Sequence, residues 1–294
     1  MSYSYPRKKL DGGFSMKIIP LASESLGVRS LSVYIEAKNR ILIDPGVALG
    51  PKRYSLPPAK IEIEKLEAAK KKIIEFLGMA DTIIISHYHY DHYLPSANYN
   101  GKHLLLKDPR KKINKSQMSR ASKFLKGKEN YEYVDGKNFT INDCRMEFSP
   151  PLPHGEEGTR LGFVIMTMIE DKKRIIHASD TQLLNKKSIE WIIEKMPDLI
   201  ITSSPPTYIG YIKNAWKTGT KNINKIILET DSEIILDHHI IRDKRYPEFF
   251  KGLEKEPSTF ARYLKVEETP LEAYRRELHE IENGKKVKLP FKLP

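Results

Sequence analysis

Short apolar runs alternate with polar, Gly- and Asn-containing breaks along the chain, and the period of the apolar positions changes from segment to segment. Lys17 to Leu21, Ser30 to Glu36 and Ile41 to Asp44 read as short strands joined by turns, which predicts an opening run of antiparallel strands. Ile63, Leu66, Ile73, Ile74 and Leu77 then recur at three- and four-residue intervals, the spacing of a helix with one apolar face, and Gly78 stands where a capping glycine belongs. Thr82 to Ser86 is an almost unbroken apolar run, the mark of a buried strand, so the residues that follow fall on the loop at its C-terminal end. Between Lys102 and Phe148 the pattern predicts a strand, a Lys-rich helix around Ser116 to Lys126 and further short strands. The second half repeats the alternation: strands at Leu161 to Glu170 and Arg174 to Ala178, a helix near Ser188 to Lys195, a strand at Leu199 to Thr202, a helix near Asn222 to Glu229 and a strand at Glu233 to Leu236. A charged helical tail carrying Leu271, Tyr274 and Leu278 closes the chain.

At 294 residues, with 39% hydrophobic and 30% charged residues, the chain has the composition of a globular protein with one large core. Residues 1–15 are expected to be a loose tail and residues 16–294 one domain. The apolar runs are far below the roughly 20 residues of a membrane-spanning helix, and no secretory signal is apparent at the start, so a cytoplasmic location and no membrane partner are expected. The single cysteine, Cys144, excludes an internal disulfide and a thiolate metal cluster, which leaves His and carboxylate as metal ligands. A formal charge of +12 favours phosphate-bearing partners, but a Lys- and Ile-rich composition of the heat-adapted kind explains it equally well.

The chemistry gathers in His87-Tyr88-His89-Tyr90-Asp91-His92. Two imidazoles two residues apart in extended backbone point the same way, while Asp91 and His92 turn to the other side of the loop, so one loop can feed two metals. Further donors are then required, each at a strand end. His154 follows the strand ending near Phe148, Asp180 follows the strand before it, and His238 with His239 follows the strand ending at Leu236.

These residues, with Asp44, fall in the order of the five motifs of the metallo-β-lactamase superfamily, and residues 17 to 242 resemble it. The Ser-Asp-Thr-Gln segment at 179–182 and the Asp-His-His segment at 237–239 further resemble an archaeal-type subgroup of metal-dependent hydrolases. The resemblance implies an α/β fold, a four-layer αββα sandwich with the metals at one edge. It implies that His87, His89 and His154 hold one metal, that Asp91, His92 and His238 hold a second, and that Asp180 bridges them. His238 and His239 compete for the last place, with His238 preferred. Asp44 is expected to steady the loop from behind and His177 to be a core residue. The implied cofactors are two divalent metal ions. Zinc suits such ligands best, and iron and manganese are compatible.

Two cations roughly 3.5–4 Å apart can make a shared water nucleophilic near neutral pH and stabilise an oxyanion, which points to hydrolysis of an ester-like bond, with Asp91 placed to move a proton. Asp180 stands where the β-lactam-cleaving members carry Cys, and the His-Glu-Ala-Thr-like segment of the tRNA-processing members is missing. The expected substrate is a phosphodiester or another small anionic ester, contacted by Tyr208 in the Pro205-Pro206 loop. The alternative is a basic nucleic-acid-binding or ribonuclease-related protein on the same fold.

Overall fold

The computed structural model describes residues 16–210 and 214–293, so the expected tail at residues 1–15 lies outside the described residues. The first sheet takes its strands in chain order: β1 (Lys17–Ser23), β2 (Leu31–Glu36), β3 (Arg40–Ile43), β4 (Thr82–Ile85), β5 (His103–Leu106) and β6 (Tyr131–Tyr133). The first three pair antiparallel through short turns, as the pattern predicts, and β3 to β6 run parallel. Parallel neighbours need crossovers, and helices α1 (Lys60–Met79) and α2 (Lys115–Leu125) lie in two of them.

The second sheet holds β7 (Asn138–Ile141), β8 (Cys144–Phe148), β11 (Thr167–Glu170), β12 (Arg174–His177), β13 (Leu199–Ser203) and β14 (Glu233–Asp237), with a separate hairpin of β9 (Leu152–Pro153) and β10 (Phe163–Val164). Its order is β14-β13-β12-β11-β8-β7, and only β12, β13 and β14 are parallel. Helices α3 (Lys186–Lys195) and α4 (Ala215–Thr230) make those crossovers, and α5 (Tyr246–Lys251), α6 (Phe260–Tyr263) and α7 (Arg275–Glu282) follow β14.

The layering follows from side-chain alternation in strands buried on both faces. In the first sheet Leu42, Ile83 and Ile85 pack outward with Ile73, Phe76 and Leu77 of α1, while Ile41, Ile43 and Ile84 point inward. In the second sheet Ile175, Ile201 and Ile235 meet them from across, while Ile176, Ile200 and Ile234 pack outward against α3 and α4. Three apolar layers between four structural ones give the αββα sandwich, and each fully buried Ile or Leu contributes about 1.5–3 kcal/mol. The consequence for function is positional: the C-terminal ends of β3, β4, β12 and β14 open onto one edge shared by both sheets.

Some local expectations fail for identifiable reasons. Gly78 lies inside the last turn of α1, and the cap is Ala80 in extended backbone, because the chain passes straight into β4. Ile63 and Ile74 are 49% and 47% exposed. Ile73 and Ile74 are a hundred degrees apart on the helix, so only one can face the sheet, and Ile73 does. The strand expected over Leu161 to Glu170 is broken: Gly162 turns with φ +94°, and Ile165 crosses to donate to Ser86 O at 3.1 Å in the other sheet's loop. Neither α5 nor α6 was anticipated.

Candidate metal centre

The loop after β4 is built by alternation. Tyr88 is fully buried, its hydroxyl donating to Lys107 O at 2.6 Å and its amide to Gln117 Oε1 at 3.0 Å. That anchor turns His87 and His89 to the opposite side, where His87 Nε2 and His89 Nδ1 approach to 3.0 Å. His92 N donates back to His89 O, closing a turn that brings His92 in from the second side. Gly46 makes this packing possible: a Cβ there would lie 2.0 Å from Tyr93 N and 2.3 Å from His92 C.

All eight residues singled out in the sequence meet at this edge. Asp180 Oδ2 sits at the centre, 3.0 Å from His154 Nε2, 3.3 Å from His92 Nε2, 3.5 Å from His238 Nε2, 3.6 Å from His239 Nε2 and 3.9 Å from His87 Nε2. Donor atoms of His87, His89, His154 and Asp180 form one compact group, those of Asp91, His92 and His238 a second, and those of Asp180, His238 and His239 a third. Asp180 Oδ1, His92 Nε2 and His239 Nδ1 are buried with no hydrogen-bond partner among the described residues. Buried polar atoms without partners are costly, and a divalent cation bound among these donors would satisfy Asp180 Oδ1 and His92 Nε2.

The outer nitrogens show how the rings are aimed. His92 Nδ1 donates to Asp44 Oδ2 at 2.8 Å and His238 Nδ1 to Glu24 Oε2 at 2.6 Å, so both rings aim Nε2 into the centre. His87 Nδ1 meets the Ser86 hydroxyl at 3.0 Å, and that hydroxyl also donates to Asp44 Oδ2. Among the described residues His239 Nδ1 has no such orienting partner, which makes His238 the better-fixed of the two. Asp44 therefore stands behind His92, as expected, and His177 is a buried strand residue whose Nε2 contacts Leu31 O at 3.0 Å.

Charge follows the same geometry. Burial holds His87 and His239 well below the usual imidazole range and His89 down to about 3, so these rings are neutral donors. Burial opposes charge on His238 too, but Glu24 and Asp180 outweigh it and raise that ring to about 9; Asp180 and Asp44 raise His92 in the same way. Burial likewise opposes the charge on Asp180, and the surrounding imidazoles hold its carboxyl well below the usual range. Left-handed backbone at Asp44, Ser179, Gln182 and His238 adds local strain at the same edge, a common feature of functional sites.

Residues 39–207 match the model of the Beta-lactamase superfamily domain. The chain belongs to the metallo-β-lactamase superfamily. Similar proteins include a "UPF0282 protein" of Thermococcus gammatolerans, 58% identical over 95% of this chain and 100% of that one. Another, from Methanocaldococcus jannaschii, is 42% identical over 92% of this chain and 98% of its own length. Among solved structures, isothiocyanate hydrolase from Delia radicum gut bacteria is similar with a TM-score of 0.49 and 13% identity, covering 91% of this chain and 93% of that one. As in the superfamily's fold, two mixed sheets stand between helices, and no helix among the described residues is long and apolar enough to cross a membrane.

The structure adds residues around the candidate centre that the sequence did not point to. Glu24 and Ser86 have no motif of their own. Glu24 lies 214 residues from the histidine it holds, and only the closed fold brings them together. Tyr208, the expected substrate contact, is half-buried and accepts a hydrogen bond from Arg242 Nη1 at 3.2 Å.

Proposed function

We propose that the protein is a metal-dependent hydrolase of a small anionic ester, with a phosphodiester as the preferred class. The observation that supports this most is the convergence of five imidazole nitrogens on the single buried oxygen Asp180 Oδ2. In this reading His87, His89 and His154 would hold one divalent cation, Asp91, His92 and His238 would hold a second, and Asp180 would serve both. His239 stands by as an accessory donor. Such a pair, when bound, supplies Lewis acidity and a nucleophile at neutral pH, with zinc the best fit to His and carboxylate donors.

The remaining work falls to the chain's own residues. Asp44 and Glu24 fix His92 and His238 so that the donor geometry exists before substrate arrives. The Asp91 side chain is 19% exposed whereas that of Asp180 is 2% exposed, so Asp91 is the carboxylate that can pass a proton between the reacting ester and water. Burial would raise its pKa, but His92 and His238 pull it below the usual range, so it stands ionised beside those two rings.

The test is elemental analysis of protein purified without chelators, run beside assays on chromogenic phosphodiesters and carboxylic esters. About two metals per chain and chelator-sensitive turnover are expected. Folded, metal-free protein without chelator-sensitive turnover would refute the reading. In Asp180→Ala the metal content should fall to one or none, and two tightly held metals there would remove its bridging role.

A further inference from the structure

A basic and aromatic cluster lies against the second half of the centre, built from parts of the chain that no metal role explains. Residues 53–56 form a two-residue hairpin in which Arg53 N donates to Leu56 O at 3.0 Å and Leu56 N to Arg53 O at 2.9 Å. Its two central residues, Tyr54 and Ser55, hold φ of 54° and 64°. Both lie in the left-handed region, and neither is the glycine or asparagine such a turn favours. The strained turn places the Arg53 guanidinium over two rings, 4.4 Å from the centroid of Tyr208 and 4.8 Å from that of Tyr54. Arg276 and Lys244 approach the Tyr54 ring from other directions, at 5.0 Å and 5.7 Å.

Two features set this cluster apart from an ordinary surface salt-bridge network. Lys244 is paired with Glu277 and Arg242 with Glu24, but among the described residues neither Arg53 nor Arg276 has a carboxylate partner. Arg53 Nε is, in addition, buried without an acceptor, while its Nη2 donates to Arg242 O at 2.9 Å. The cluster also leads to the metal centre by direct contacts. The Tyr208 hydroxyl meets Arg242 Nη1 at 3.2 Å, and Arg242 Nη2 lies 3.3 Å from both ring nitrogens of His238. The Tyr208 loop is pinned in this position, since Thr207 Oγ1 donates to Asp243 Oδ2 at 2.7 Å and Ser204 Oγ to Asp237 O at 3.0 Å.

Building on the hydrolase reading above, we propose that Arg53 and Tyr208 form the subsite that receives the charged phosphoryl oxygens of a phosphodiester substrate and so select it over neutral esters. A guanidinium without a carboxylate partner, laid over the ring of a tyrosine whose hydroxyl accepts from a further cation, is matched by an oxyanion that takes the free guanidinium N–H and the phenol O–H. A neutral acyl ester offers no such charge. Arg53 and Tyr208 act here as specificity determinants, and neither belongs to the donor set of the metals.

Zinc-loaded full-length Arg53→Met and Tyr208→Phe are compared with the unsubstituted protein on bis(4-nitrophenyl) phosphate and on the neutral ester 4-nitrophenyl acetate. The expected result is a KM for the phosphodiester about tenfold higher in each variant, kcat within about twofold, and unchanged kcat/KM on the acetate. Equal losses on both substrates, or an unchanged KM, would overturn the subsite. If the unsubstituted protein turns over neither substrate, the hydrolase reading fails on its own, and calorimetry with inorganic phosphate, with and without zinc, then decides the subsite. Binding about tenfold weaker in both variants upholds it, and equal affinity overturns it.

Discussion

Replacing Glu24 with Gln asks whether the second metal position depends on a carboxylate that never faces the substrate. Glu24 Oε2 accepts from His238 Nδ1 at 2.6 Å and Oε1 from Arg242 Nε at 2.5 Å, and all three residues are buried. Gln keeps the shape but offers one acceptor and an NH2 group, so one of the two donors must face another donor. Removing one partner of a buried ion pair typically costs roughly 3–5 kcal/mol. The lower end applies here, because Glu272 and Asp91 remain close enough to act on Arg242. Loss of the group that orients a ligating His lowers metal affinity by roughly 10–100-fold, or about 1.4–2.7 kcal/mol. Glu24→Gln should therefore melt lower and, in a competition titration against a chromogenic chelator, keep one tightly bound zinc while the other weakens by that factor. Wild-type affinity for both zincs in a destabilised variant would show that Glu24 supports the fold and does not aim His238. Equal weakening of both would place its effect outside the second position.

Three other perturbations test separate parts of the reasoning. Gly46→Ala puts a methyl group 2.0 Å from Tyr93 N and 2.4 Å from His92 N, both backbone atoms, so the loop must shift. A loss of at least about 2 kcal/mol in denaturant unfolding and weaker zinc binding are expected, and a fully stable, metal-replete variant would contradict the close approach. Exchanging His238 and His239 for Ala one at a time should cost a tightly bound zinc only at His238, as metal analysis of the two variants will show; the reverse order would assign the ligand to His239. The pH dependence of stability tests Glu272. Burial raises its carboxyl, but the Arg29 fork at 2.6 and 2.5 Å, with Arg242 and Arg275, brings it from 4.5 down to about 2. A depressed carboxylate stabilises the fold above its unfolded pKa and loses that contribution as pH falls through the folded one. Up to about 3 kcal/mol should therefore vanish between about pH 4.5 and 2, and Glu272→Gln should flatten that slope in urea titrations; identical slopes would remove Glu272 as the cause.

The strand pattern was legible because β3, β4, β12, β13 and β14 are buried on both faces and so must be apolar throughout. The donors were legible for a related reason. Metal ligands must be His or carboxylate here, and parallel strands deliver them at their C-terminal ends, so a His or Asp just after an apolar run stands out. Gly78 and Ile74 misled because helix periodicity reports an amphipathic face without reporting which neighbour covers it. The residues behind the ligands were not legible at all. Glu24 sits in a short 3-10 turn after β1, where a lone acidic residue between apolar segments has the same appearance as any solvated loop charge.

That difference has a physical origin. A ligand's role is set by its own strand, whereas Glu24 acquires its role through Asp237, far from it in sequence. Asp237 is buried at the end of β14 and accepts from Ser23 Oγ at 3.0 Å, Ser25 N at 3.1 Å, Ser25 Oγ at 2.6 Å, His238 N at 2.7 Å and Phe260 N at 2.9 Å. Burial raises its carboxyl, and this set of donors stabilises its charged form against that cost. By clamping the turn that carries Glu24 to the backbone of His238, Asp237 makes the distance between carboxylate and imidazole a property of one rigid joint. The first strand and the last strand end at that joint, and α6 begins there. The second metal position is thus coupled to the closure of the whole sandwich, while His87 and His89 are aimed by a loop that β4 and Tyr88 hold locally.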